Sequence, residues 1–223
     1  MSGFEIFITV FLIGYVVFML IMLMIRWYGK RKGLAIIISL IKGSRHKEAK
    51  KQLDYYLRYF PKSKRAWALL GAVELELENL QQAKTAFEKS IDYDPMYSYA
   101  LTGLGVIYRR EKRFDKAEDC YYRALRSNPN DYRAKSSLML LELYKGNADV
   151  AISLGEDSIR NGLDSVEPVV VGNLAVAYHT IDEFDKRDEL IEYLRLNEYM
   201  GLYYLMLFFE DRVTIEMMFD MGV

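Results

Sequence analysis

Residues Ala100–Asn130, ALTGLGVIYRREKRFDKAEDCYYRALRSNPN, carry the organisation of the whole chain in one short unit. Gly105 stands on one predicted helix, Ala117 and Tyr121 on a second, and Pro129 closes the unit. Each marker recurs. Ala49, Ala83, Ala117 and Ala151 fall 34 residues apart, and Pro61, Pro95 and Pro129 keep the same step. Leu70, Leu104 and Leu138 repeat it, as do the pairs Gly71 and Gly105, and Phe87 and Tyr121. A fixed period of this length predicts an array of stacked helical hairpins.

The markers have physical reasons. One hairpin cannot bury its apolar face alone, so neighbouring units must stack, and the positions at which they touch are constrained. Gly105 and Ala117 remove bulk where two helix axes cross. Tyr121 lies one turn beyond Ala117 on the same helix face and fills the space between units. Pro95 and Pro129 follow Asp94 and Asn128 and cannot continue a helix, so each ends a second helix and resets the chain. All of these residues are read as packing positions.

The pattern resembles the tetratricopeptide repeat, which runs W-x2-L-G-x2-Y, then A-x3-F, then P. Trp67, Leu70, Gly71, Ala83, Phe87 and Pro95 fill it in one unit, and Leu104, Gly105, Tyr108, Ala117, Tyr121, Ala124 and Pro129 in the next. The resemblance implies an all-α, right-handed solenoid of about five hairpins, with units near 30–63, 64–97, 98–131, 132–167 and 168–199. In the first, Lys42–His46 is the internal turn and Gly33 replaces the tryptophan. In the fourth, Gly155 replaces the aromatic, Leu163 replaces the proline, and Lys145-Gly146-Asn147 breaks the helix. The fifth fits through Leu174, Ala175, Tyr178, Phe184, Ile191 and Leu194 only if the register slips by two residues. Arg187 then takes the small-residue position, which puts close packing there in question. Residues 200–223, with the apolar run Met200–Phe209, are expected to form a capping helix or half repeat. That run also suits a partner protein or a membrane.

Residues 1–29 read differently. Ile6 to Ile25 carries no charge and is long enough to span a bilayer core. No basic residue precedes Arg26, and large residues fill the end of the stretch, unlike a cleaved signal peptide. The expectation is a retained transmembrane helix, with Trp27 and Tyr28 at the interface. Positive residues stay on the cytoplasmic side. The N-terminus is therefore expected outside and the array in the cytoplasm, at a bacterial inner membrane or alternatively an organelle outer membrane.

Charge is unevenly distributed. Between Arg26 and Arg65 there are 13 Lys or Arg against Glu48 and Asp54, a net of +11. From Ala66 onward 17 basic residues face 28 acidic ones, a net of −11. The basic unit suits anionic lipid headgroups, contacted by Lys30, Arg31 and Lys32. The acidic remainder argues against nucleic acid. Catalytic chemistry has little to work with. Cys120 precedes a packing residue and reads as a buried thiol, His46 and His179 have no metal-ligand spacing, and no phosphate loop or nucleophile elbow is present. Adjacent carboxylates such as Glu118 and Asp119 do not face each other on a helix. Neither an enzyme nor a cofactor is expected.

Function is then expected on the solenoid surface. By resemblance, a partner's apolar helix or extended segment lies in the concave groove, along Ala68, Leu69, Ala72, Thr102, Gly103, Val106, Arg109, Ser136, Ser137, Leu140, Gly172, Asn173 and Val176, with Arg133 nearby. The polar clamp that some family members use for a terminal carboxylate is absent, since Ala68, Ala72, Gly103 and Ser137 occupy its positions. The groove reads as smooth and apolar. These features suggest a membrane-tethered scaffold or adaptor. Alternatives are a receptor for apolar targeting segments in import or export, and a regulatory subunit of a membrane enzyme.

Overall fold

A computed structural model describes residues 3–160, 162–163 and 166–199, with side chains described for 11–24 and from 29 onward. The expected cap at 200–223 lies outside the described residues. Among the described residues ten α-helices form five hairpins: α1 (Gly3–Lys42) with α2 (His46–Tyr59), α3 (Lys64–Glu76) with α4 (Leu80–Tyr93), α5 (Ser98–Arg110) with α6 (Phe114–Ser127), α7 (Tyr132–Lys145) with α8 (Ala148–Ile159), and α9 (Pro168–Thr180) with α10 (Phe184–Leu196). No strand occurs among the described residues. Each helix packs on the next in sequence, and α3, α5, α7 and α9 also touch in series. The first helices thus make an inner layer and the second helices an outer one. The chain is an all-α solenoid.

Both kinds of turn repeat with the sequence. Inside each hairpin the first helix ends in a Schellman motif, whose sixth N–H returns to the first carbonyl. Arg45, Asn79, Arg113, Asn147 and Glu183 donate in this way to Leu40, Glu74, Tyr108, Glu142 and Tyr178. The left-handed residue of each motif is Ser44, Glu78, Lys112, Gly146 or Asp182, with φ between 55° and 87°. The first four stand 34 residues apart and the last 36, so the slip in the fifth unit is real. Its origin is local. Helix α8 has 12 residues and its connection spans 160–167, where α4 and α6 have 14 residues and connections of four. Between the earlier units, Asp94 and Asn128 accept the amides of Met96 and Asn130 across the prolines. Ser63 and Asp131 then cap α3 and α7.

Inside the array the glycines and rings are paired. An added Cβ at Gly71 would lie 2.7 Å from the Phe87 ring, and at Gly105 2.3 Å from the Tyr121 ring. Each ring therefore lies directly against bare helix backbone. One repeat further on, the pair is reversed. Met139 stands in the glycine position, and its Cε lies 2.9 Å from where a Gly155 Cβ would be. The large member has moved to the other helix, and the space stays filled. In the first unit Ile37 and Leu53 share it, both fully buried. Cys120 is buried beside this core, and burial pushes its thiol up to about 11. At the far end α10 buries only Leu190 and Leu194. Arg187, in the small-residue position, lies over the Phe184 ring and places Nη1 3.1 Å from His179 Nδ1.

Helix α1 has 40 residues and is about 60 Å long at 1.5 Å per residue. It runs unbroken through the expected boundary at residue 29, so the apolar stretch and the first helix of the array are one rod. Every large side chain from Phe11 to Met24 is exposed, Phe11 at 67% and Met19, the least, at 42%. Ile37, further along the same helix, is 1% exposed.

Candidate protein-binding groove

The inner layer encloses a groove of about 510 Å³ between α3, α5 and α7. The repeat builds it from equivalent positions. Ala72 and Val106 are one register step apart, as are Leu75 and Arg109, Glu76 and Arg110, Tyr99 and Arg133, Thr102 and Ser136, and Gly103 and Ser137. Tyr132 and Val169 complete one end. Phe87 reaches the floor from α4, because Gly71 and Gly103 have no side chains to exclude it: a Cβ at Gly103 would sit 2.3 Å from its ring.

Eight of the residues expected here line the groove: Ala72, Thr102, Gly103, Val106, Arg109, Arg133, Ser136 and Ser137. Ala68, Leu140 and Asn173 are instead sealed between helices, at 0%, 2% and 1% exposure. Asn173 is a structural clasp, its Nδ2 donating to the Ser136 carbonyl at 3.1 Å and to its Oγ at 3.0 Å. Leu69 packs against the core of the first two hairpins. Gly172 and Val176 are buried as well. The inner layer is curled tightly enough at α7 and α9 that first-helix positions meet each other rather than solvent.

The surface is also less apolar than the sequence suggested. Tyr99, Tyr132, Glu76 and three arginines belong to it. The Arg133 guanidinium lies 4.6 Å from the Tyr132 ring centre and 5.5 Å from that of Tyr99. Stacking of this kind holds the planar cation in place while its edge stays available. Burial raises the Tyr99 phenol above its ordinary range, and the Arg133 charge opposes the shift. Arg110 and Arg133 are exposed at the rim, and Arg109 is buried below them beside Tyr121. The Thr102 hydroxyl is buried on the wall with no hydrogen-bond partner among the described residues. A buried polar atom of this kind is uncommon and costs stability until something pairs with it. The groove therefore offers aromatic and apolar walls, a cationic rim and the unsatisfied Thr102 hydroxyl. The repeat step was enough to find the missed residues, because Tyr99 holds the register position of Arg133 and Arg110 that of Glu76.

Known proteins agree with this architecture. Models of the tetratricopeptide repeat match residues 34–83 and 98–131. The chain is 31% identical over 105 residues to tetratricopeptide repeat protein 37 of Xenopus laevis, and 32% identical over 84 residues to superkiller protein 3 of Schizosaccharomyces pombe. Those alignments cover 47% and 38% of this chain but only 6% of each relative. Among solved structures, PilF of Pseudomonas aeruginosa superposes with a TM-score of 0.65 at 19% identity, covering 85% of this chain and 88% of PilF. YrrB, described as a TPR protein with an unusual peptide-binding site, superposes with a TM-score of 0.54 at 19% identity, covering 77% of this chain and 88% of YrrB. With matched repeats, a 34-residue register held through the turns, and this solenoid, the chain belongs to the tetratricopeptide-repeat family.

Proposed function

We propose that the protein is a membrane-tethered scaffold that holds a segment of a partner protein in the groove between α3, α5 and α7. The observation that carries this reading is the groove itself, a cleft of about 510 Å³ with a cationic rim and the unpaired Thr102 hydroxyl on its wall. Its dimensions suit an extended segment or one helix face, with apolar side chains against Val106, Tyr99 and Phe87 and a carboxylate toward Arg110 and Arg133. The tether is α1, whose apolar part has the length of a bilayer core and exposes every large side chain from Phe11 to Met24. The N-terminus then lies outside and the array in the cytoplasm, with Lys30, Arg31 and Lys32 at the headgroups.

Val106 is only partly buried, on the wall contributed by α5. Val106→Glu places a charge against the apolar side of a bound segment. Full-length protein captured in mild detergent should lose its partner on this change and keep its helical circular dichroism. Undiminished capture by the folded variant would overturn the groove reading. Release of the wild-type protein from membranes by alkaline carbonate would overturn the tether reading.

A further inference from the structure

The first hairpin turns back toward the apolar end of α1. Helix α2 runs antiparallel to α1, and the Tyr56 hydroxyl donates to the Lys30 carbonyl at 3.2 Å. The Tyr56 ring lies against Gly33, where an added Cβ would meet it at 3.1 Å. Lys30 is five residues beyond Ile25, the end of the uncharged stretch, or about 7 Å along the helix axis. Tyr59, close to one turn further along α2, comes back nearer still. Residues far apart in sequence are thus brought to the height at which α1 leaves its apolar stretch.

At this height α2 turns Tyr55, Arg58 and Tyr59 outward, and Lys62 follows in the connecting turn. Tyr55 and Tyr59 are 59% and 60% exposed. Their rings lie side by side, with centres 5.0 Å apart and hydroxyls 3.4 Å apart. Two neighbouring cations are engaged elsewhere, Lys50 with Glu74 and Lys64 with Asp94. Arg58 and Lys62 have no ion-pair partner among the described residues. Paired exposed tyrosines flanked by unpaired cations suit a headgroup layer, where the ring's apolar body and polar tip are both satisfied. One repeat further from the membrane the face changes, and Asp92 stands where Arg58 does.

We propose that Tyr55, Arg58, Tyr59 and Lys62 form a second membrane contact, seated on anionic phospholipid headgroups, which fixes the tilt of the solenoid relative to the bilayer. The contact rests on reading α1 as a membrane span. Two attachment points, one through the bilayer and one on its surface, stop the array from swinging and present the groove at a set height. Anionic lipid is the occupant favoured here by charge, since the segment around it carries a net of +11.

The test uses the full chain in nanodiscs of phosphatidylcholine with phosphatidylserine. A nitroxide is attached at Tyr59→Cys or, as the control one repeat on, at the exposed Tyr93→Cys. Cys120 is buried and leaves the introduced thiol as the reactive one. Collision with a water-soluble paramagnetic relaxant should be several-fold weaker at position 59 than at 93. Adding Arg58→Glu and Lys62→Glu should restore it at 59, leave 93 unchanged and leave the helical spectrum unchanged. Phosphatidylcholine alone should give the same restoration. Equal collision at both positions in anionic discs overturns the proposal, as does shielding at 59 that survives charge reversal and loss of anionic lipid. Failure of the wild-type chain to enter discs of either composition would instead remove the span on which the proposal rests.

Discussion

At Gly105 an added methyl would meet the Tyr121 ring, and at Gly103 the Phe87 ring, each at 2.3 Å. Alanine at Gly105 gains about 1 kcal/mol of helix propensity but forces a packed ring to move, which costs about 1–3 kcal/mol. Gly105→Ala should therefore lower the melting temperature of the detergent-solubilised protein. Gly29→Ala, with nothing within 4 Å of the new atom, should leave it unchanged or raise it. Tyr121 gives a second, pH-dependent outcome. Its hydroxyl is buried without a hydrogen-bond partner of normal geometry, although Ser137 and Arg109 are near enough to oppose the effect of burial. Burial still dominates and pushes the phenol up to about 12, against about 10 in an unfolded chain. The folded state thus favours the neutral phenol. This contribution is fully present below about pH 10 and is lost as the pH rises toward about 12. Tyr121→Phe should change stability at neutral pH by less than about 1 kcal/mol, because no good hydrogen bond is lost. It should also flatten the alkaline decline in melting temperature.

Each hairpin turn contains one residue with positive φ, and only Gly146 among the five is a glycine. A side chain in the left-handed region costs about 1–2 kcal/mol, partly offset by the smaller freedom of a non-glycine in the unfolded chain. Lys112, at φ 58°, is exposed, so its side chain contributes little to packing. Lys112→Gly should raise stability by up to about 1 kcal/mol. Lys116→Gly, four residues on inside α6, should lower it by about 1 kcal/mol. Urea melts of the two variants distinguish the Schellman turn from an exposed position within a helix, where glycine weakens the chain. The strain is tolerated because the motif closes each helix with two backbone bonds and fixes where the next helix starts. With the turns held at equal intervals, equivalent residues on α3, α5 and α7 come into line and make one groove.

For the whole molecule, the continuity of α1 matters more than any single contact. A flexible linker after residue 29 would leave the array free to diffuse around its anchor. An unbroken helix fixes the direction in which the first hairpin leaves the apolar stretch, and every later unit inherits that direction by stacking. On the proposed membrane-tethered reading, the basic residues that follow the stretch set the orientation. A reporter active only in the cytoplasm, fused after Val223, should therefore be active. Protection of the array from a cytoplasmic protease would reverse the orientation and detach Lys30, Arg31 and Lys32 from the assigned headgroup layer.

The sequence alone determined whatever depends on periodicity: the all-α class, the five hairpins, the internal turns at Lys42–His46 and Lys145–Asn147, and the slip of two residues in the fifth unit. These follow from local preferences and fixed spacing, which a linear pattern records. Tertiary structure decided which inner-layer positions line the groove. Ala68, Leu140 and Asn173 have the same register as groove residues but lie sealed, because exposure depends on how closely successive first helices approach. It also decided that Met139 and Gly155 are a reversed version of the Gly105–Tyr121 pair. In sequence each looks like a departure from the repeat. Only their contact across the hairpin shows that the volume was moved from one helix to the other. The return of Tyr55 and Tyr59 to the height of Lys30 is likewise a product of folding, since 26 residues separate the Tyr56 hydroxyl from the carbonyl it binds.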